Sequence, residues 1–376
     1  MVNASLRSNN EAGFSLIEMM IAASVMLIVL VSIVSLLRSS LSVASTTYEL
    51  TEAQESVRTA QEYINRDLLN SGDGLKSITY IPVNTTFVQN FLSFTPIVDP
   101  NNPPLATNLG ILTTDNNVAA GKTAPPPPPP PGPPPVPAAT PIRIAPGTDR
   151  QTILEIDGDL TSNPIFTPTA VSAAGDLVTL PAATTATHMA LFVVGDIYFM
   201  TSARGGTFAT VTAINTGTKV LTFASGVAAD YCGLNTAGAN NRIKDISASG
   251  TLPTTLQRMK IIHYFVDSNQ LLRRRVFGER GASFRDSIIA EHVLGVQFIY
   301  SLGIDAGGNP VKPTDVISTP AQQVNVSQVE VRVSVETAHV MLHNKQKPPP
   351  ITMSSTTSLR NMQFRQALQP KPSPTP

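Results

Sequence analysis

The sequence predicts an α+β chain in which one long N-terminal helix packs through its second half onto an antiparallel β-sheet. Three observations carry that reading. Residues 14–37, FSLIEMMIAASVMLIVLVSIVSLL, are mostly apolar, carry one charge, Glu18, and contain no Gly or Pro. Residues 39–69 also lack Gly and Pro, and they set Leu50, Ala53, Val57, Ala60, Ile64 and Leu68 at spacings of three and four. From about residue 151 the chain changes to short apolar runs separated by Gly, Asn and Ser, the pattern of strands and turns.

The helix comes first. At about 1.5 Å per residue, residues 14–37 span about 36 Å, enough to cross a bilayer. Arg38 follows as a polar stop, and a short polar segment, MVNASLRSNNEAG (1–13), precedes the apolar run. In residues 38–70 the apolar stripe faces one way, while Glu52, Glu55, Arg58, Glu62 and Arg66 occupy other faces, as in an amphipathic helix. Gly72-Asp73-Gly74 should end it. The two halves then form one helix of roughly 55 residues, about 80 Å long. A bundle subunit or coiled coil would explain the second half but not residues 1–13.

Residues 75–150 read as a low-complexity loop. Their centre, PPPPPPPGPPPVP (125–137), holds 11 of the chain's 32 prolines and should form a stiff polyproline II rod. It reads either as a ligand for a proline-binding domain or, preferred here, as a spacer.

Residues 151–369 read as an antiparallel β domain and 370–376 as a proline-rich tail. Strands are expected over 152–156, 189–194, 196–201, 207–214 and 219–223 as a meander, with Asn215-Thr216-Gly217 as a hairpin loop and Gly217 at positive φ. Residues 259–266 and 271–277 should pair across Asp267-Ser268-Asn269-Gln270. In 329–336, Val329, Val331, Val333 and Val335 alternate with Glu330, Arg332, Ser334 and Glu336, which gives one dry face and one wet face.

Composition removes several functions. Lys+Arg and Asp+Glu both number 26, so nothing marks the chain as a nucleic-acid coat. The one cysteine, Cys232, excludes an internal disulfide and cysteine-built metal clusters, and reads as an inert thiol. There is no nucleophile elbow, phosphate loop or dinucleotide fingerprint. His339 and His343 have the spacing of a zinc helix but lack its glutamate, so they read as surface histidines. Asp305-Ala-Gly-Gly-Asn309 reads as a turn rather than a calcium loop. Arg273, Arg274, Arg275, Arg280 and Arg285 form a basic cluster, read as a solvated strand edge; DNA or a neighbour's acids are the alternatives. The expectation is a protein that is not an enzyme and needs no metal or cofactor.

The junction before the apolar run is distinctive. Gly13-Phe14-Ser15-Leu16-Ile17-Glu18 resembles the class III signal of type IV pilins and pseudopilins. The resemblance implies that a membrane peptidase cuts after Gly13 and methylates the new amine of Phe14. Residues 1–13 become the leader, 14–37 the transmembrane half and 38–70 the amphipathic half of a type IV pilin-like helix. Glu18 would become the fifth mature residue, pairing with the amine of a neighbouring subunit and so aiding assembly. Physical chemistry agrees that it needs a partner: an ionised carboxylate inside an apolar helix costs several kcal/mol when unpaired. An ordinary signal anchor, with Glu18 reaching toward the interface, is the plainer alternative.

The later runs YFVDSNQLLRRRV (264–276), IIAEHVLGVQFIY (288–300), the strand over 329–336 and SLRNM (358–362) resemble, in that order, W-type minor pilins (the PilW family). J-type pseudopilins of type II secretion share parts of this order. The resemblance implies a minor pilin that assembles or primes a type IV pilus; a J-type pseudopilin or a membrane-anchored adhesin is the alternative. Its implied partners are other pilin or pseudopilin subunits, the prepilin peptidase/methylase, an inner-membrane assembly platform and the lipid bilayer. Its implied place is the inner membrane, crossed once, with the globular domain outside the cytoplasm, and then the pilus.

Overall fold

The first helix, α1, runs over Leu16–Asn70, 55 residues without a break. It is the leading element of a computed structural model that describes residues 15–72, 75, 80–92, 107–126, 140–156, 166–238, 241–279, 284–303, 309–317, 322, 325–338 and 349–359. The chain divides into two units. One comprises Met1–Glu52 with Thr337–Pro348, and the other Ala53–Glu336 with Pro349–Pro376.

In the first unit, every residue from Ser15 to Leu41 is exposed. The hydroxyls of Ser24 and Ser32 donate to the Met20 and Ile28 carbonyls four residues back, at 2.8 and 2.9 Å. Thr46, Thr47 and Thr51 do the same, so these polar side chains are satisfied on the helix itself.

In the second unit, the predicted stripe is the buried one: Ala53, Val57, Ala60, Ile64 and Leu68 all lie in the core. The helix stops where the glycines predict. Gly72 takes φ +73°, which favours glycine, and a Cβ there would meet Ile111 at 3.0 Å. Its N–H donates to the Leu154 carbonyl at 3.0 Å, which ties the end of the helix to the sheet.

Ten strands build the two main sheets. They are β1 (Leu112–Asp115), β2 (Arg150–Ile156), β3 (Ile197–Ser202), β4 (Gly205–Thr210), β5 (Thr255–Val266), β6 (Leu272–Phe277), β7 (Phe284–Ala290), β8 (Val293–Ser301), β9 (Gln328–Val335) and β10 (Ile351–Ser358). The first seven form one antiparallel sheet in the order β4-β3-β5-β6-β7, with β2 on β5 and β1 on β2. The last three form a second sheet in the order β8-β9-β10. A small four-stranded sheet joins Ala170–Val171, Leu177–Thr179, Ala213–Asn215 and Val220–Thr222.

Alternation along the strands decides which core receives each side chain. On β9, Val329, Val331, Val333 and Val335 are fully buried, as their pattern predicts. On β3 both faces are covered. Ile197 and Phe199 enter the core that also holds the α1 stripe, while Tyr198 and Met200 enter a second core with Phe192, Leu221 and Phe223.

Four expectations need correction. Residues 75–150 are not simply a loop: Tyr80–Val83 pairs with Thr107–Gly110, β1 joins the large sheet, and Ile81, Phe87, Val88, Leu92, Leu109 and Leu112 are buried. Burial of these scattered apolar residues outweighs the Asn- and Pro-rich composition around them. Most of the proline tract, 127–137, lies outside the described residues.

Residues 189–194 form no strand. Thr185 accepts a hydrogen bond from the His188 N–H and starts a short helix, Ala186–Met189, which turns Met189 and Phe192 into the second core. In the hairpin after Asn215, the positive φ of 56° falls on Lys219, not Gly217, because the Asn215 side chain accepts from the Thr218 N–H and shapes the turn. The sheet is not a meander: β5, twelve residues long, pairs with β3, β2 and β6. The β5–β6 hairpin forms as predicted, with Gln270 at φ 62° and Asp267 accepting from the Asn269 and Leu271 N–H groups.

Candidate functional site

Glu18 lies in the first turn of α1 and is exposed. Its N–H donates to the Ser15 carbonyl at 2.9 Å, and Met19 N–H reaches the same oxygen at 3.1 Å. A carboxylate here sits at the positive end of the helix dipole. No ion pair reaches it among the described residues. Around it Leu16, Ile17, Met19, Met20 and Ile21 are all at least 60% exposed. In a bilayer a lone carboxylate on such an apolar helix would cost several kcal/mol unless it were paired. Gly13 and Phe14 lie outside the described residues.

The other end of the helix is fixed by polar chemistry that sequence reading missed. Asp67, 2% exposed, accepts from Tyr264 Oη and from Arg274 Nε, each at 2.6 Å, so the last turn of α1 is bonded to β5 and β6. Burial works against the Arg274 cation, but the bond and charge of Asp67 outweigh it and hold its pKa above the usual value. Burial, then the same carboxylate, pushes Tyr264 well up. Asn65 adds hydrogen bonds to Ser355 and Thr357 of β10. One signal was available: Asp67 stands between Ile64 and Leu68 on the buried arc, where an acid needs a partner.

The arginine cluster is therefore not a solvated edge. β6 lies between β5 and β7, and each of the three arginines on it pairs with an aspartate, with Asp286 also 4.0 Å from Arg273. Arg273 pairs with Asp267 at 2.7 Å, Arg274 with Asp67, and Arg275 with Asp286 at 2.6 Å. Arg275 is fully buried and lies over the Phe284 ring at 4.3 Å. Arg285 alone fits the original reading, with its side chain 61% exposed beside Glu279. Arg280 lies outside the described residues.

His339, His343 and Asp305 fall outside the described residues. No group of three metal-ligating side chains occurs among the described residues. Cys232 is buried, and burial, then the charge of Asp230, pushes its thiol up, the reverse of an activated nucleophile. His263, fully buried with Nδ1 2.9 Å from Thr152 Oγ1, is held neutral by burial and by the charges of Arg150 and Arg275.

Asp230 yields a pH prediction. Burial pushes its carboxyl up to about 6, although the Asn235 and Leu234 N–H groups oppose this with bonds of 3.1 and 3.0 Å. The folded pKa lies above the unfolded one, so the folded state holds its proton more tightly. The contribution of this one group to stability should be fully present below about pH 4 and should be lost, by about 3 kcal/mol, as pH rises through 6. Denaturant titrations of wild type and Asp230→Asn at pH 4 and pH 7 check this: the variant should lose most of the difference.

Residues 8–34 match a family model described as the prokaryotic N-terminal methylation motif. No curated protein and no solved structure matches the chain. The match covers the junction and the start of the exposed apolar helix, the chain's one helix long and apolar enough to cross a membrane among the described residues. That combination fits a single-pass membrane anchor, and points to a structural rather than a catalytic protein. The chain thus carries a prepilin-type N-terminal signal at the head of a membrane-length helix, which supports a type IV pilin-like or pseudopilin role.

Proposed function

We propose that the chain is a minor pilin of the W type, a non-catalytic subunit that helps to assemble or prime a type IV pilus. The observation that carries this reading is the methylation motif over 8–34, continuous with an apolar helix exposed on every side and bearing Glu18. In this reading the prepilin peptidase cuts after Gly13 and methylates the Phe14 amine. The mature chain then waits in the inner membrane with its sheets outside the cytoplasm. On assembly, Glu18 pairs with the Phe14 amine of the next subunit, which neutralises both charges and sets the stagger between helices. The sheet domain rides on the second half of α1 and presents a surface to neighbouring subunits. The W-type assignment rests on the order of the runs 264–276, 288–300, 329–336 and 358–362.

Mass spectrometry of the N-terminal peptide from the native host tests the processing. The expected peptide begins at Phe14 and carries one methyl group on its amine. A chain cut after residue 37, or left uncut, would falsify it. Purified filaments test the role: the chain should be found in sheared pili, and its deletion should lower pilus number. Normal piliation with loss of protein secretion would instead identify a J-type pseudopilin.

A further inference from the structure

The outer strand of the second sheet, β10, presents an open edge. Leu359 N–H donates to the Ser327 carbonyl at 2.9 Å, and the β9–β10 register pairs Gln328 with Ser358 at one end and Val335 with Ile351 at the other. Residues of an antiparallel pair alternate between those that exchange both backbone bonds with the partner and those that exchange none. Counted from Leu359, the bonded residues of β10 are Thr357, Ser355, Met353 and Ile351. The N–H and C=O groups of Thr352, Ser354, Thr356 and Ser358 therefore point away from β9. The hydroxyls of Ser334 and Thr352, 2.7 Å apart, agree, because side chains lie closer in pairs that exchange no bonds. Among the described residues no backbone bond reaches the outward groups, and all four side chains are exposed.

Other edges are covered or charged. On β8, the N–H groups of Val293, Phe298 and Tyr300 donate to Gln270, Asp149 and Thr314. On β4, residues 206–210 are buried. The edge of β7 carries Arg285 and Asp286. The eight residues of β10 hold no charge, no proline and no bulge, the features that deter strand addition. Its dry side is also unfinished: Ile351 and Met353 are half-buried, although their partners Val335 and Val333 are fully buried. A strand laid along β10 would complete both the ladder and the core.

Charge and direction define what fits. The incoming segment is extended and uncharged, with apolar side chains on alternate residues to cover Ile351 and Met353 and small polar ones between them. The second half of α1 runs along β10. Ser56 meets Glu291 near the Val293 and Val335 pair, at the Ile351 end, and Asn65 meets Ser355 and Thr357 farther along. Two copies joined antiparallel, β10 to β10, would run this part of α1 in opposite directions, as two subunits entering one membrane by the same helix do not. We propose that the free edge of β10 is a strand-addition site for an extended, uncharged segment of a different subunit of the same assembly. That the occupant is a subunit rests on the function proposed above; the open edge does not.

The test has two arms. In the first, the full chain in detergent micelles is titrated with a labelled peptide of residues 349–359. This peptide is free of α1 and can pair antiparallel about Ser355 with every outward group bonded. It should bind, and the same peptide N-methylated at Ser354 and Thr356 should not. Ser354→Pro in the chain should weaken the peptide by about tenfold and leave the denaturant midpoint unchanged, because that N–H points outward. Ser355→Pro removes a bond to β9 and should lower the midpoint. No binding, or equal binding by the Ser354→Pro chain, would overturn the proposal. So would a dimer of the purified chain that Ser354→Pro abolishes, since the occupant would then be a second copy. In the second arm, wild type and Ser354→Pro are compared in filaments sheared from the native host, where the variant should be depleted several-fold. Equal incorporation would overturn the occupant and leave the proposed function standing. Absence of the wild type itself from filaments would remove that function, and the occupant with it, whatever the peptide shows.

Discussion

Glu18→Leu should enter the membrane and be processed like the wild type, yet be depleted in sheared filaments by about tenfold or more. The apolar run becomes more apolar and Gly13 is untouched, so insertion and cleavage have no reason to fail. Assembly differs because the Phe14 amine of the adjacent subunit would be buried without its counter-charge. Removing one partner of a buried pair costs about 3–5 kcal/mol, and each 1.4 kcal/mol is a factor of ten. Glu18→Asp should be intermediate, since it keeps the charge but shortens the reach. The measurement is the ratio of each variant in filaments to that in membranes. An ordinary signal anchor predicts the opposite order, and equal incorporation of wild type and Glu18→Leu would remove the pairing model while leaving cleavage at Gly13 standing.

Asp67→Ala should be the most damaging single change in the second half of α1, at about 3–5 kcal/mol. It leaves Arg274, whose side chain is 17% exposed, and the Tyr264 hydroxyl without their acceptor beneath the last turn of the helix. The apolar stripe still packs, so the protein should fold with a lowered denaturant midpoint rather than fail outright. Asp67→Leu combined with Arg274→Met should recover much of the loss, since it replaces the ion pair with apolar contact and strands no charge. Denaturant melts of the three chains decide the matter. A loss under about 1 kcal/mol for Asp67→Ala would mean that water or another group takes over the arginine.

These two carboxylates differ in how legible they were. Glu18 is conspicuous because everything near it in sequence is apolar, and the Gly13-Phe14 junction stands beside it. Asp67 looks like one more charge on an amphipathic helix, and its partner Arg274 lies 207 residues away. The arginine cluster misled for the same reason. Three consecutive arginines on a strand look like a wet edge, but β7 and the aspartates Asp267, Asp67 and Asp286 cover them. Residues 189–194 look like a strand because an apolar run has no periodicity to tell a strand from a short helix and turn.

By itself the sequence determined the membrane-length helix, its amphipathic continuation to Gly72, the processing signal and the dry face of β9. These are local matters: hydropathy over one run, a periodicity of 3.6 or 2, a glycine at the end of a helix. Only the tertiary structure decided that β5 is the hub of the large sheet, that Ile81, Phe87, Val88, Leu92, Leu109 and Leu112 belong to the core, and that Arg275 donates to the Pro125 carbonyl. Those outcomes depend on which distant surfaces meet. A buried charge or an interrupted apolar run takes its meaning from the partner it finds there, and the chain alone does not name that partner.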